Sequence, residues 1–282
     1  MQSTTSLAFI VVSALLAGCA PSPAPPPVPV PVDAPPPEPP PPPSWPDSSA
    51  SLVMLPLPVA RGARRPTIYL SAGHANAPGK DGNTGVLGQI EAEVNLQTLN
   101  GLADHLEATG RFEVVRARQG DERPSYTRRV EHAAAAGADV FIELHTDSRG
   151  DTYPYRTLDD GTWLYRADGD VGFSVLYRGS GALRADREQL ARVLSEKLAA
   201  AGFPPYPGCH YEGLYDHGPV PGSFIDRRGL FLLRKPTMAS VIIETHNAKD
   251  VGASERWTEA RTHEAFHRAV AGALTELLFP ET

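Results

Sequence analysis

A handful of residues stand out by their type and by where they fall. The apolar runs TIYLSAGH, DVFIELH and ASVIIE finish in His74, His145 and Glu244, and Glu91 and Glu93 follow the first run in IEAEVNL. A carboxylate or imidazole at the end of a buried run needs a partner, because unpaired burial of charge is costly. A shared metal ion supplies one. Two histidines and an acidic residue suit catalytic zinc, which takes three protein ligands and keeps a position for water, and the set favours zinc over harder divalent ions. The expectation is one zinc ion held by His74, His145 and either Glu91 or Glu93, with its bound water made acidic. Glu244 then stays off the metal as general base, passing the water's proton to the leaving amine.

Each residue also has a plainer reading. His74 suits a turn in a glycine-rich loop, His145 a hydrogen-bonded core histidine, and Glu91 and Glu93 the first turn of a helix, where the dipole favours acids. Glu244 suits a solvated strand end. The spacing is too long for a local metal motif of the HExxH kind, so the coincidence of all these residues carries the argument.

The elements that must position them alternate. PTIYLSA, RFEVVRA, DVFIELH, GTWLYRA, GFSVLYRG, LFLLRKP and ASVIIETH read as strands. Helical patterns run from Glu93 to a stop at Gly110, from Ser125, from Ala182 to Gly202, and from Thr258 to the end. Such alternation predicts an α/β fold: a single three-layer domain with a largely parallel central sheet flanked by helices. In such sheets ligands sit beyond the carboxyl ends of the strands, where His74, His145 and Glu244 fall.

Residues 1–18 read as a signal peptide, with an apolar run from Leu7 to Leu16 too short to span a bilayer. It ends in LAGC, which resembles a bacterial lipobox and makes Cys19 the expected lipidated residue. Residues 19–60 hold most of the 29 prolines. Such a segment favours extended polyproline II, and Pro21–Pro46 alone reaches roughly 80–90 Å. Residues 61–282 remain as one well-packed domain. The expected placement is the periplasm, anchored through Cys19 to the inner face of the outer membrane. The net charge is −7 with no basic stripe, which argues against nucleic acid as a partner. Cys209, the other of two cysteines, reads as structural.

From about Pro66 the chain resembles the zinc-dependent N-acetylmuramoyl-L-alanine amidases. Their pattern is a GH loop, E-x-x-x-N-L, an R-x-x-D turn, a helix with an arginine, a strand ending in IH, and V-x-V-E. Here these are Gly73-His74, Glu91 with Asn95-Leu96, Arg118 to Asp121, Arg129, ADVFIELH ending at His145, and ASVIIE ending at Glu244. The resemblance selects Glu91 over Glu93 as the third ligand. It implies hydrolysis of the amide between N-acetylmuramic acid and L-alanine in peptidoglycan, with Asn95 and Arg129 near the substrate or behind the ligands; His246 and Asn247, in a stretch that departs from the pattern, are expected close to the site as well. Two alternatives stay open: a non-catalytic peptidoglycan-binding lipoprotein, and a zinc peptidase cutting another wall bond. A protein activator is left open.

The chain departs from that pattern in GHAN, in LHTD at Leu144–Asp147, and in THNAKD after Glu244, where His246 is expected chiefly to hold the loop. Residues 147–172 are too rich in Gly, Asp and Pro for a blocking helix and predict a substrate-lining loop or hairpin. Residues 203–229 predict a second long loop suited to glycan or peptide. His210, His217 and Asp226 within it read as solvated residues more readily than as a second metal cluster.

Overall fold

The structure is a computed structural model and describes residues 52–56 and 65–280. The signal peptide, Cys19 and the proline-rich run through Ser51 lie outside the described residues. In chain order the elements are β1 (Thr67–Ala72), α1 (Glu91–Ala108), β2 (Glu113–Arg116), α2 (Tyr126–Ala135), β3 (Val140–Asp147), β4 (Tyr153–Thr157), β5 (Trp163–Arg166) and β6 (Ser174–Tyr177). They continue with α3 (Arg184–Ala200), β7 (Tyr215–His217), β8 (Ser223–Asp226), α4 (Phe231–Arg234), β9 (Ala239–Asn247), α5 (Val251–Arg256) and α6 (Ala260–Leu278).

Seven strands form one mixed sheet in the order β2-β1-β3-β9-β6-β8-β7. From β2 to β9 all pairings are parallel; β6 runs antiparallel to β9, and β7 antiparallel to β8. Strand residues alternate between the two faces. Ile68, Leu70, Val140, Ile142, Val241 and Ile243 join the main core with α1, α3 and α6. On the other face Tyr69 stacks on Phe141 with ring centres 5.1 Å apart, in a cluster with Ala133 of α2 and Leu232 of α4. Helices thus cover both faces. The chain runs from β1 to β2 on one side and then returns to place β3 on the other. That reversal opens a crevice at the carboxyl ends of β1 and β3, where ligands collect in open α/β sheets.

Three expectations need correction. LFLLRKP forms the short helix α4, not a strand, because β9 is already flanked by β3 and β6 and no sheet edge remains beside it. Its Leu232 and Leu233 enter different core clusters. The loop at 203–229 contributes β7 and β8 to the main sheet, whereas within 147–172 the expected hairpin does form, as β4 and β5. The packed unit also takes in residues ahead of 61: Leu52 is buried in the main core and Val53 N–H donates to Ala201 O at 2.9 Å.

Candidate active site

His74 lies two residues beyond the end of β1 and Glu91 opens α1, where the helix dipole favours a carboxylate. His145 and Glu244 are register partners on adjacent parallel strands, so their side chains share one face. One ligand atom from each of His74, Glu91 and His145 lies within 4.8 Å of the others. Glu91 Oε1 is 2.9 Å from His74 Nε2 and 3.1 Å from His145 Nδ1. Asn83 donates to Glu91 Oε2 through its backbone N–H at 3.0 Å and its side-chain amide at 3.3 Å. Burial pushes the Glu91 pKa up, but the hydrogen bonds and charge of His145 and His74 outweigh it and hold the carboxyl below its ordinary range. It is an anion ready for a cation.

Glycines make this closeness possible. A Cβ on Gly73 would stand 2.4–2.6 Å from three atoms of the His145 ring. A Cβ on Gly82 would stand 2.6 Å from both Glu91 Oε2 and His74 Cδ2. Both side chains are therefore excluded by the cluster itself. His74 and Ala75 carry positive φ angles of 62° and 46° without being glycine. Such conformations cost of order 1 kcal/mol each and persist where surroundings enforce them.

The enforcing group is Arg129, fully buried on α2. Its guanidinium donates to the carbonyls of His74, Ala72 and Pro124, and to Ser71 Oγ. It also pairs with Glu143 Oε1 at 2.9 Å, and that same oxygen lies 3.6 Å from His145 Nε2, behind the ring. Glu143 is fully buried; burial raises its pKa, but Arg129 and His145 outweigh that and keep it low. One guanidinium thus fixes the backbone of one histidine and, through Glu143, backs the ring of the other. Sequence reading missed Glu143, although a carboxylate inside the apolar run VFIEL was its signal.

Glu244 lies beside His145 in a cavity of about 470 Å³ that His74, Glu91, Asp147, Arg149 and Tyr211 also line. Its Oε2 is buried without a hydrogen-bond partner. Burial, and then the negative charge of Asp147, push its pKa up to about 8. Asp147 is itself held low against its burial by Arg149 at 2.7 Å and by the Tyr211 hydroxyl, which donates to it at 2.5 Å. Arg149 lies over the Tyr206 ring at 4.0 Å and reaches Ser174 Oγ, beside Glu244 in the sheet. Tyr211 sits 64 residues from Asp147, and nothing in the sequence pointed to that pairing.

The remaining expected residues fall around the site rather than in it. Asn95 is buried on α1 away from the cavity lining. His246 lies two residues beyond Glu244, but the register of β9 against β3 shifts between Glu244 and Asn247, and the His246 ring turns away to stack on Trp257 at 5.1 Å and bond to Thr245 Oγ1 at 3.0 Å. Burial, then the charges of Arg149 and His263, lower its pKa to about 3. Asn247 Oδ1 accepts from the backbone N–H groups of Arg149 and Lys249, and its amide donates to Arg149 O, so it pins the loop after β3. Among the described residues His74, Glu91 and His145 form the one group of three or more with metal-ligand geometry. His210 pairs instead with Asp170 at 3.0 Å, and Asp226 accepts from Arg228 and Leu230 backbone N–H groups. Cys209 is exposed, which removes the packing basis for a structural role.

Comparison with known proteins agrees with this geometry. Residues 68–276 match the family Amidase_3, described as N-acetylmuramoyl-L-alanine amidase. The chain is 26% identical over 181 residues to the N-acetylmuramoyl-L-alanine amidase LytC of Bacillus subtilis. That match covers 64% of this chain but only 29% of the relative. Among solved structures, the N-acetylmuramoyl-L-alanine amidase of Clostridium difficile 630 shares the fold with a TM-score of 0.59 at 16% identity, covering 78% of this chain and 100% of that one. The amidase Ami1 of Mycobacterium smegmatis does so with a TM-score of 0.60 at 19% identity, covering 77% and 98%.

Proposed function

The chain belongs to the N-acetylmuramoyl-L-alanine amidase family, and from that premise we propose that it is a zinc amidase of peptidoglycan. The bond cut is the amide between the lactyl group of N-acetylmuramic acid and L-alanine of the stem peptide. The observation that carries this reading is the meeting of His74, Glu91 and His145 within 4.8 Å, with Glu244 alongside in the same cavity.

The donors fit one zinc ion: two imidazoles and an anionic carboxylate, all brought close by glycines that leave no side chain between them. Bound there, zinc supplies Lewis acidity toward the scissile carbonyl and makes water a better nucleophile. The chain's own residues handle the proton. Glu244 takes it from the attacking water and returns it to the departing L-alanine amine. Burial and the negative charge of Asp147 favour the protonated form of Glu244, the form from which it returns the proton. Asp147, Arg149 and Tyr211 hold the adjoining wall, and Glu143 fixes the His145 ring from behind, as carboxylates behind ligating histidines commonly do.

The lipobox-like LAGC and the proline-rich run support the further proposal of a lipoprotein, tethered through Cys19 to the inner face of the outer membrane, with the proline-rich run as spacer toward the wall. Purified peptidoglycan tests the activity. The chain should release intact stem peptides, identified by mass, and Glu244→Gln should release them about 10³-fold more slowly. Fragments cut within the stem would assign a peptidase instead. Retention on the wall without release by the zinc-loaded chain would assign a binding protein.

A further inference from the structure

The hairpin of β4 and β5 presents aromatic side chains to solvent. Of the five large hydrophobic residues exposed among the described residues, three lie on it: Tyr153, Trp163 and Tyr165. Trp163 is 51% and Tyr165 42% exposed, while Leu164 between them is 2% exposed. The inner face is anchored. A Cβ on Gly88 would meet Leu158 and Leu164 at ordinary contact distance, and Arg156 donates to Leu87 O at 3.0 Å. Ala167 N–H at the hairpin's end donates to Lys249 O at 2.9 Å. Trp163 and Tyr165, two residues apart, share the outer face about 6.6 Å from each other along the strand. Their cross-strand partners there are Thr157 and Pro154. The Trp163–Thr157 pair stabilises the hairpin by no more than about 1 kcal/mol, and exposed aromatic patches mark binding sites.

Charge narrows the occupant. From Asp151 to Asp168 the hairpin carries four aspartates against two arginines. Both arginines are engaged, Arg156 with Leu87 O and Arg166 with Asp168 at 2.7 Å. Such a surface repels anionic lipid headgroups and suits an uncharged partner with flat apolar faces and hydroxyl edges. Position narrows it further. The hairpin rests on the Leu87–Gly88 segment, whose neighbours Gly85 and Gln89 line a cavity of about 310 Å³ with Gln97, Thr146 and Trp257. That cavity shares Glu91 and Thr146 with the larger cavity holding Glu244.

We propose that the outer face of the β4–β5 hairpin is a platform for the glycan strand of peptidoglycan, with pyranose faces stacked on Trp163 and Tyr165. A strand lying there leads across residues 85–89 toward Glu91 and Glu244. This rests on the amidase reading for its choice of polymer, and its test is independent of catalysis. The probe is the neutral hexamer of β-1,4-linked N-acetylglucosamine, titrated into the chain by calorimetry, with cosedimentation on intact sacculi in parallel. Trp163→Ala should weaken hexamer binding about tenfold, the loss expected for an aromatic anchor. Trp163→Phe should restore most of it, and Trp163→Ala/Tyr165→Ala should abolish retention on sacculi. Release of stem peptide from a single disaccharide-peptide should stay within about twofold of wild type, which also shows the variants folded. Unchanged hexamer and sacculus binding in the double variant would overturn the platform, as would binding to anionic phosphatidylglycerol vesicles in place of sugar. Hexamer binding lost in Trp163→Ala, with no stem peptide released by wild type, would keep the platform and reject the amidase reading.

Discussion

The molecule holds two histidine clusters, and they differ in one ingredient. At the strand ends, His74 and His145 stand against Glu91, with Glu143 and Glu244 beside His145. Between α1 and α6, His105 and His263 each lie with ring centres 6.0 Å from His267. There the surroundings are aromatic, and His263 bonds to Trp257 O at 2.7 Å. Burial acts on both clusters in the same sense, against imidazolium. At the strand ends the carboxylates overcome it, and the His145 pKa rises well above its ordinary value. Between the helices burial wins: all three pKa values are lowered, that of His267 to about 3. Histidines near one another are thus no sign of a cation site; histidines sharing an anionic carboxylate are.

The largest effect should come from the base. Glu244→Gln should lower stem-peptide release by about 10³-fold, in the range of general-base losses, with zinc content unchanged. Zinc lost together with activity would show that Glu244 helps hold the metal.

Next is the buried pair behind the first cluster. Arg129→Met strands Glu143 as an unpaired buried carboxylate and should cost about 3–5 kcal/mol in urea unfolding. Arg129→Met/Glu143→Gln should recover only the part due to the stranded charge, because the carbonyls of Ala72, His74 and Pro124 remain without their donor. A single variant as stable as wild type would remove the pair from the account.

Smaller is the steric requirement at Gly73. Gly73→Ala puts a Cβ within 2.4–2.6 Å of three His145 ring atoms. Zinc affinity, measured against a chromophoric chelator, should fall about 10- to 100-fold, as when support behind a ligand is disturbed. Wild-type affinity would show that the ring has room to move.

The smallest prediction belongs to the second cluster. The His267 pKa is about 3 in the folded chain against an ordinary 6.5, so the unfolded chain takes up the proton first as pH falls. Its contribution to stability is complete above about pH 6.5 and is lost progressively toward pH 3. His267→Leu should therefore flatten the acid limb of the stability curve by up to about 1.4 kcal/mol per pH unit. An unchanged limb would mean His267 titrates normally in the fold.

Much of this was legible in the sequence because the signal is local. A buried strand reads as an apolar run, and a polar residue closing it stands out, as His74, His145 and Glu244 do. The parallel half of the sheet follows from alternating strand and helix patterns. What was hidden depends on distant pairing. LFLLRKP has strand composition, but no sheet edge is left for it. Tyr211 gains its role only where the fold sets it against Asp147, and His246, which alternation alone would set beside Glu244, turns from the site where the β3–β9 register shifts. Glu143 was visible, yet its meaning required Arg129 from another element.

The most direct test of the central contrast is anomalous scattering at the zinc edge from crystals of the chain grown with one equivalent of zinc. One peak bounded by His74, Glu91 and His145, with none among His105, His263 and His267, is the predicted result. A peak at the helix cluster, or no peak between the strand-end residues, would contradict it.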